Sequence, residues 1–290
     1  MSQTAKIAGV QLAGTPDIER NIRRATEMID LAARHGAKVV VLPELWAYPW
    51  FVDSVENAAK SMAEPLTGPL IGEMRKRAGE TGVCLVVPFF ESTDDDGPCY
   101  NSAAVIDTAG EVAGVYRKVH VPQVPGWEER HYFAPGDKSF PVFDSPIGKI
   151  GVQLGWDMLF PEGVRCLALA GAEVVVAPMA VSADNSDLWH HAVAAGAFLN
   201  GVWICRVGRV GSEQGIRFAG NSACALPTGD FLDEPASDIE GVTLWEYDPR
   251  LVPLVRRDWP LLRDRRPEMY GALTAAPPND LAGAEGESSQ

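Results

Sequence analysis

The most constraining feature of the sequence is the stretch from Gly148 to Glu162, GKIGVQLGWDMLFPE, because it combines a strand, a sharp turn and the start of a helix. Ile150 to Leu154 is a short apolar run of strand length. Gly155-Trp156-Asp157 breaks that pattern, and Pro161-Glu162 begins an apolar-periodic segment typical of a helix. Such a turn raises one residue at the end of a strand, where backbone N–H groups of the next helix face a ligand. In an acyl-transfer enzyme the raised residue is the nucleophile, whereas here it is Gly155, which has no side chain.

Strand and helix patterns alternate along the rest of the chain, which predicts an α/β fold. A hairpin signal at Thr108-Ala109-Gly110 adds an antiparallel pair, so we expect a mixed sheet covered by helices. Strands are predicted at 6–12, 39–42, 84–90, 101–106, 111–116, 150–154, 173–177, 201–207, 221–226 and 242–247, and helices at 18–33, 70–80, 164–170 and 187–199.

The length of the chain allows a sizeable core. It has 290 residues, of which 46% are hydrophobic. No internal repeat or linker divides it, which favours one domain over residues 1–275 with a C-terminal tail from about residue 250. The small and polar residues at 276–290 are typical of disorder.

Charge and hydropathy narrow the classes of partner. The formal net charge of -14 disfavours binding to nucleic acid or to anionic membranes, because both depend on basic patches. No apolar window is long enough to span a membrane, and residues 1–6 show no signal-peptide pattern. We therefore expect a cytoplasmic protein that acts on a small molecule.

Neither a disulfide framework nor a metal site is predicted. The cysteines are widely spaced and without CxxC pairs, so we interpret them as reduced core residues: Cys84, Cys99, Cys166, Cys205 and Cys224. A cluster of potential ligands lies between residues 184 and 191, but its adjacent histidines would point to different faces of a helix: Asp184, Asp187, His190 and His191.

Glu44 is a candidate catalytic base because it follows directly after a buried apolar strand at 39–42. Four aromatic residues follow it closely in the sequence: Trp46, Tyr48, Trp50 and Phe51. Burial in such a setting would raise the pKa of a carboxyl group toward the range useful to a base. The alternative is an acid that caps a loop.

A second candidate is Lys118, at the end of the hairpin's second strand, although a lysine in that position is often a solvated rim residue. His120 is interpreted as structural. An irregular segment at 122–136 follows, rich in Pro, Gly and aromatic residues and with Trp127 and Glu129 near its middle. Long ordered loops of this kind often form the wall of a site.

Glu44, Lys118 and Gly155, each at a predicted strand end and in this order, resemble the nitrilase superfamily of carbon–nitrogen hydrolases. The resemblance extends from Lys6 to about Leu273. Glu129, eleven residues after Lys118, falls where the carbamoyl-amine amidohydrolase branch keeps a second glutamate. Several motifs carry the resemblance: VLPE at 41–44, YRKVH at 116–120, FAPGD at 133–137, WD with FPE at 156–162, and RRPEMY at 265–270.

The resemblance implies a four-layer α-β-β-α sandwich, commonly paired across a two-fold axis, and no metal or other cofactor. In that family a glutamate deprotonates a cysteine, whose thiolate attacks an amide, carbamoyl or nitrile carbon. A lysine and a backbone N–H hold the developing oxyanion. The resemblance thus assigns Glu44 as base, Lys118 and the N–H of Trp156 as oxyanion donors, and Glu129 as an orienting residue. Tyr48 and Trp127 are candidate substrate-binding residues.

The same resemblance places Gly155 where the family has its cysteine, and three explanations stay open. The site could be repurposed for noncovalent acid–base chemistry such as hydration, elimination, cyclisation or direct attack of water. The chain could be an ordinary hydrolase inactivated by substitution, or a pseudoenzyme that only binds a ligand. Other departures from family patterns, at Ala195–Asn200 and at Gly208-Arg209-Val210-Gly211, favour the first. The sequence does not identify the substrate.

Overall fold

The computed structural model describes residues 4–93 and 97–275, and within them five α-helices and thirteen β-strands. The helices are α1 Ile18–Arg34, α2 Pro69–Thr81, α3 Pro161–Leu169, α4 Ser186–Asn200 and α5 Leu251–Asp258. The strands are β1 Ala5–Gln11, β2 Ala37–Val41, β3 Cys84–Ser92, β4 Cys99–Ile106, β5 Val112–Arg117, β6 Val142–Ser145, β7 Gly148–Val152, β8 Val174–Met179, β9 Trp203–Gly208, β10 Val210–Glu213, β11 Ile216–Ala219, β12 Ala223–Ala225 and β13 Gly241–Tyr247.

Two mixed sheets form the centre of the molecule. One has the order β13-β1-β2-β3-β4-β5 and the other the order β12-β9-β8-β7-β6, with β10 and β11 as a separate hairpin. Strands β1, β2 and β3 are parallel, as are β7, β8 and β9, whereas the outer strands pair antiparallel. The pairing of β3, β4 and β5 brings the end of β5 to the same edge as the end of β2.

Alternation along the strands produces four layers. Val39 and Val41 pack between the two sheets, while Val40 faces the helices α1 and α2. On the second sheet, Val174 and Val176 join the same central core, and Val175 faces α3 and α4. The strands are nearly all apolar because both of their faces are covered. The predicted α/β class and the α-β-β-α sandwich are therefore confirmed.

Several elements differ from the sequence prediction. Strands β6, β10 and β11 and helix α5 were not predicted. Helix α5 contains Pro253, but proline is tolerated within the first turn of a helix. The β10–β11 hairpin turns at Gln214 and Gly215, both at positive φ. Cys166 is exposed on α3, so the interpretation of every cysteine as a core residue was wrong.

Two further predictions concern membrane-spanning segments and the C-terminal residues. Among the described residues, no helix is long and apolar enough to cross a membrane. The prediction of disorder at 276–290 lies outside the described residues.

Candidate active site

Glu44 lies just beyond the end of β2 and is almost fully buried, with 2% of its surface exposed. The backbone reverses immediately after it, since Leu45 has a φ of 49°. The carboxylate is held from three directions. Its Oε1 accepts hydrogen bonds from Lys118 Nζ at 2.8 Å and Asn101 Nδ2 at 2.9 Å, and its Oε2 accepts one from the backbone N–H of Ala180 at 3.1 Å.

Lys118 brings a second carboxylate to the same place. Its ammonium donates to both oxygens of Glu129, at 2.8 and 2.7 Å, in addition to Glu44. Lys118 and Glu129 are each 1% exposed. Lys118 lies opposite Asn101 on β4, whose carbonyl accepts its backbone N–H, and Asn101 also reaches Glu129 Oε2 at 3.4 Å. One buried ammonium therefore faces two buried carboxylates.

The excess of carboxylates shifts the proton affinities of the cluster. Burial, reinforced by Glu44 and opposed by the Lys118 ammonium, raises the pKa of Glu129 to about 7. Burial alone would lower the pKa of Lys118, but the two carboxylates outweigh it and raise that pKa above its ordinary value. The cluster thus contains a charged lysine and a carboxyl group that changes protonation near neutral pH.

Gly155 begins a 3-10 turn, Gly155–Leu159, at the end of β7, with a φ of 39°. This left-handed backbone favours glycine. A β-carbon built on Gly155 would overlap Oε2 of Glu44 and lie 3.1 Å from its Cδ. The carboxylate of Glu44 therefore lies directly against the bare turn.

Asp157 ties this turn to β5 and to the residues that directly follow it, among them Lys118. Its fully buried carboxylate accepts the Tyr116 hydroxyl at 2.5 Å and the backbone N–H of His120 at 2.8 Å. The Nδ1 atom of His120 also lies 2.8 Å from Asp157, and the ring stacks on Phe160 at 3.6 Å. His120 and Asp157 thereby fix the Gly155 turn relative to Lys118.

A buried arginine supports the loop on the other side of Glu44. Arg209 donates to the carbonyls of Leu45 and Tyr48, each at 2.8 Å, and pairs with Glu213 at 2.7 Å. Glu213 in turn accepts the N–H of Trp50 at 2.8 Å. These bonds hold the chain that follows the candidate base.

The aromatic candidates have different surroundings. Trp127 donates from its ring N–H to the carbonyl of Ala180 at 3.3 Å. The backbone N–H of the same residue, Ala180, donates to Glu44. Trp156 is half-buried and meets Trp189 edge-on at 6.1 Å. Tyr48 packs in the core on the helix side, edge-on against Phe51 and Phe90, and is not among the hydrogen-bond partners of the cluster.

The structure thus brings together Glu44, Lys118, Glu129 and Gly155, and it adds Asn101 and the N–H of Ala180, which the sequence analysis missed. The predicted hairpin indicated that some residue of the preceding strand would lie opposite Lys118, but it did not identify Asn101. Among residues 4–93 and 97–275, no group of three or more His, Cys, Asp or Glu side chains is arranged to hold a metal ion.

Comparison with known proteins extends over nearly the whole chain. N-carbamoylputrescine amidase of Solanum lycopersicum is 35% identical over 283 residues, covering 92% of this chain and 94% of that protein. Citrullinase of Francisella tularensis is 32% identical over 280 residues, covering 92% and 97% respectively. The crystal structure of a carbon-nitrogen hydrolase from Helicobacter pylori G27 matches with a TM-score of 0.90 and 30% identity, over 94% of this chain and 99% of that one.

The family model described as carbon-nitrogen hydrolase matches residues 6–257. This range contains every member of the buried cluster and, apart from Ala5, both sheets. The chain therefore belongs to the carbon–nitrogen hydrolase family of the nitrilase superfamily.

Proposed function

We propose that this protein cleaves a C–N bond of a small carbamoyl or amide compound by noncovalent acid–base chemistry. The observation that carries the proposal is the placement of the Glu44 carboxylate against Gly155, with Lys118 and Glu129 in the same buried cluster. The carbamoyl group is suggested by relatives named N-carbamoylputrescine amidase and citrullinase.

In this proposal water replaces the cysteine as the attacking group. Glu44 takes a proton from water as the oxygen forms a bond to the carbonyl carbon. The negative charge that develops on the carbonyl oxygen is stabilised by the Lys118 ammonium, assisted by the N–H of Trp156. When the C–N bond breaks, the proton held by Glu44 passes to the leaving nitrogen, which departs as a neutral amine or ammonia.

Loss of a nucleophile carries a large cost in rate. In a serine hydrolase, removal of the nucleophile lowers kcat by about 10^6. We therefore expect slow turnover unless the substrate is more reactive than a simple amide. The retained base, cation and second carboxyl group support catalysis because a purely structural role would not require a buried excess of carboxylates.

The test is release of ammonia and of the free amine from N-carbamoylputrescine, citrulline and small amides, followed by mass spectrometry. We expect Glu44→Gln and Lys118→Ala each to lower kcat/KM by about 10^2 to 10^4. Glu111→Gln is the matched control, because it makes the same chemical change in a carboxylate that is 70% exposed. Equal rates in wild type and Glu44→Gln would refute the proposal.

The variant Gly155→Cys distinguishes attack by water from the alternative that the chain is an inactivated hydrolase. If water attack is the native route, the new side chain collides with Glu44 and should lower the native activity. If instead it restores vigorous amidase or carbamoylase activity, the chain is an ordinary hydrolase that lacks its nucleophile. Ligand binding without turnover in any variant would indicate a pseudoenzyme.

A further inference from the structure

Asn101 is the only neutral side chain that bridges both carboxylates of the described cluster, and its amide has one unused end. Its Nδ2 lies 2.9 Å from Glu44 Oε1 and 3.4 Å from Glu129 Oε2. The residue is 1% exposed, and its Oδ1 has no hydrogen-bond partner among the described residues.

The orientation of this amide follows from electrostatics. If the group were flipped, its carbonyl oxygen would face two carboxylates, and Nδ2 would have lost both acceptors. Both ends belong to one planar amide, so Oδ1 lies beside the cluster. A buried carbonyl without a donor is unfavourable, so this atom is expected to gain a partner when the site is occupied.

The cluster itself has no evident donor to spare for this oxygen. The ammonium of Lys118 is directed at Glu44 and Glu129 through contacts of 2.7 to 2.8 Å. The N–H of Ala180 is taken by Glu44. The missing donor therefore has to come from outside these groups.

We infer that Asn101 is a specificity-determining residue whose Oδ1 accepts an N–H of the terminal –NH2 of a carbamoyl substrate. This inference rests on the proposed function, since it assumes that the carbonyl of the substrate lies toward Lys118. A carbamoyl group has a carbonyl and an –NH2 on the same carbon. Its carbonyl oxygen then faces the positive charge of Lys118, while its –NH2 donates to Oδ1 of Asn101. An acetyl group of nearly the same shape has a methyl in place of the –NH2 and leaves Oδ1 without a donor.

The test compares N-carbamoylputrescine with N-acetylputrescine, which differ only in that –NH2. Dissociation constants are measured by isothermal titration calorimetry in the cold, so that neither ligand is consumed. We expect wild-type protein to prefer the carbamoyl ligand by about tenfold. Asn101→Leu, which has a similar shape and no polar atoms, should reduce the preference to within about twofold.

A merely structural role for Asn101 would weaken both ligands equally and leave their ratio unchanged. Ser102→Ala is the control, because Ser102 is the next residue of β4, faces the opposite side and donates to Glu91. Its ratio should equal that of wild type. Should Asn101→Leu fail to fold, the wild-type ratio alone decides: equal affinities, as expected if a buried water satisfies Oδ1, or no binding of either ligand, overturn the inference.

Failure of this inference differs from failure of the proposed function. A tenfold preference without release of ammonia would uphold the role of Asn101 and refute catalysis. Turnover of the carbamoyl ligand with equal affinities would do the reverse.

Discussion

Two adjacent residues, Arg117 at the end of β5 and Lys118 directly after it, contact buried carboxylates on opposite faces of the first sheet. Arg117 forms a fork to Glu91, with contacts of 2.8 and 2.6 Å, and its guanidinium lies 3.9 Å from the centre of the Tyr100 ring. Its second acidic partner, Asp137, is 54% exposed. On this face, one buried cation is matched by one buried carboxylate.

Around Lys118 the buried charges are not matched one to one. Both of its carboxylate partners, Glu44 and Glu129, are buried, so the charges do not balance unless a proton is shared. The surroundings of the two carboxylates differ too. Each accepts three hydrogen bonds, and the third bond to Glu91 comes from the Ser102 hydroxyl at 2.5 Å. Only Glu44 of the two lies against the bare turn at Gly155.

The two clusters differ in charge balance and in free space, and these differences are those expected between a structural ion cluster and the proposed active site. Bidentate pairing and charge balance fix one geometry, which is what a structural cluster needs. A surplus carboxylate with a pKa near 7, an acceptor without a donor among the described residues and a position without a side chain all leave room for a ligand and for proton transfer.

The largest expected effect concerns the balanced cluster. Arg117→Met should lower the free energy of unfolding by about 3 to 5 kcal/mol, because it leaves the Glu91 carboxylate buried without its cation. The measurement is urea denaturation at neutral pH. Asp137→Asn is the control within the same cluster and should cost less than about 1 kcal/mol, since that carboxylate is half exposed. A loss below about 1 kcal/mol in Arg117→Met would contradict a structural role for this face.

The next effect concerns the surplus carboxylate. Because the pKa of Glu129 is raised from 4.5 to about 7, the folded protein retains a proton that the unfolded chain releases at lower pH. Its contribution to stability is complete below pH 4.5 and is lost as the pH rises through about 7. We expect the free energy of unfolding to decline over this range by on the order of 1 to 3 kcal/mol.

Glu129→Gln should flatten this decline, because glutamine does not titrate. Urea denaturation at a series of pH values from 4.5 to 8 measures it, with the exposed Glu111→Gln as the reference. If the slopes of wild type and Glu129→Gln agree, the raised pKa of Glu129 is wrong and the contrast between the two clusters loses its electrostatic basis.

Sequence analysis located strand ends well and cross-strand partners poorly. Glu44, Lys118 and Gly155 each follow a strand whose β-branched and apolar residues predict it, so their position just beyond strand ends could be anticipated. The fold class followed from the same patterns. Their catalytic roles stay predictions.

Asn101 shows why the other residues of the site could not be predicted from the sequence. The hairpin turn pairs Asp107 with Glu111, and extending that register without interruption would place Tyr100 opposite Lys118. A bulge between Val105 and Ile106 shifts the pairing by one residue and brings Asn101 there instead. Arg209 is harder still, since it reaches Leu45 across 164 positions of the chain.

The smallest expected effect concerns the bare turn, which has no counterpart beside Glu91. Alanine at Gly155 adds backbone strain, and it also forces its β-carbon into the Glu44 carboxylate, which three hydrogen bonds hold in place. Gly82 isolates the strain, because it has a φ of 67° and no atom within 4 Å of the new carbon. We expect Gly155→Ala to lower the free energy of unfolding by about 1 to 2 kcal/mol more than Gly82→Ala. Equal losses in urea denaturation would mean that Glu44 moves aside freely, and a base that moves freely is not held over the turn for attack by water.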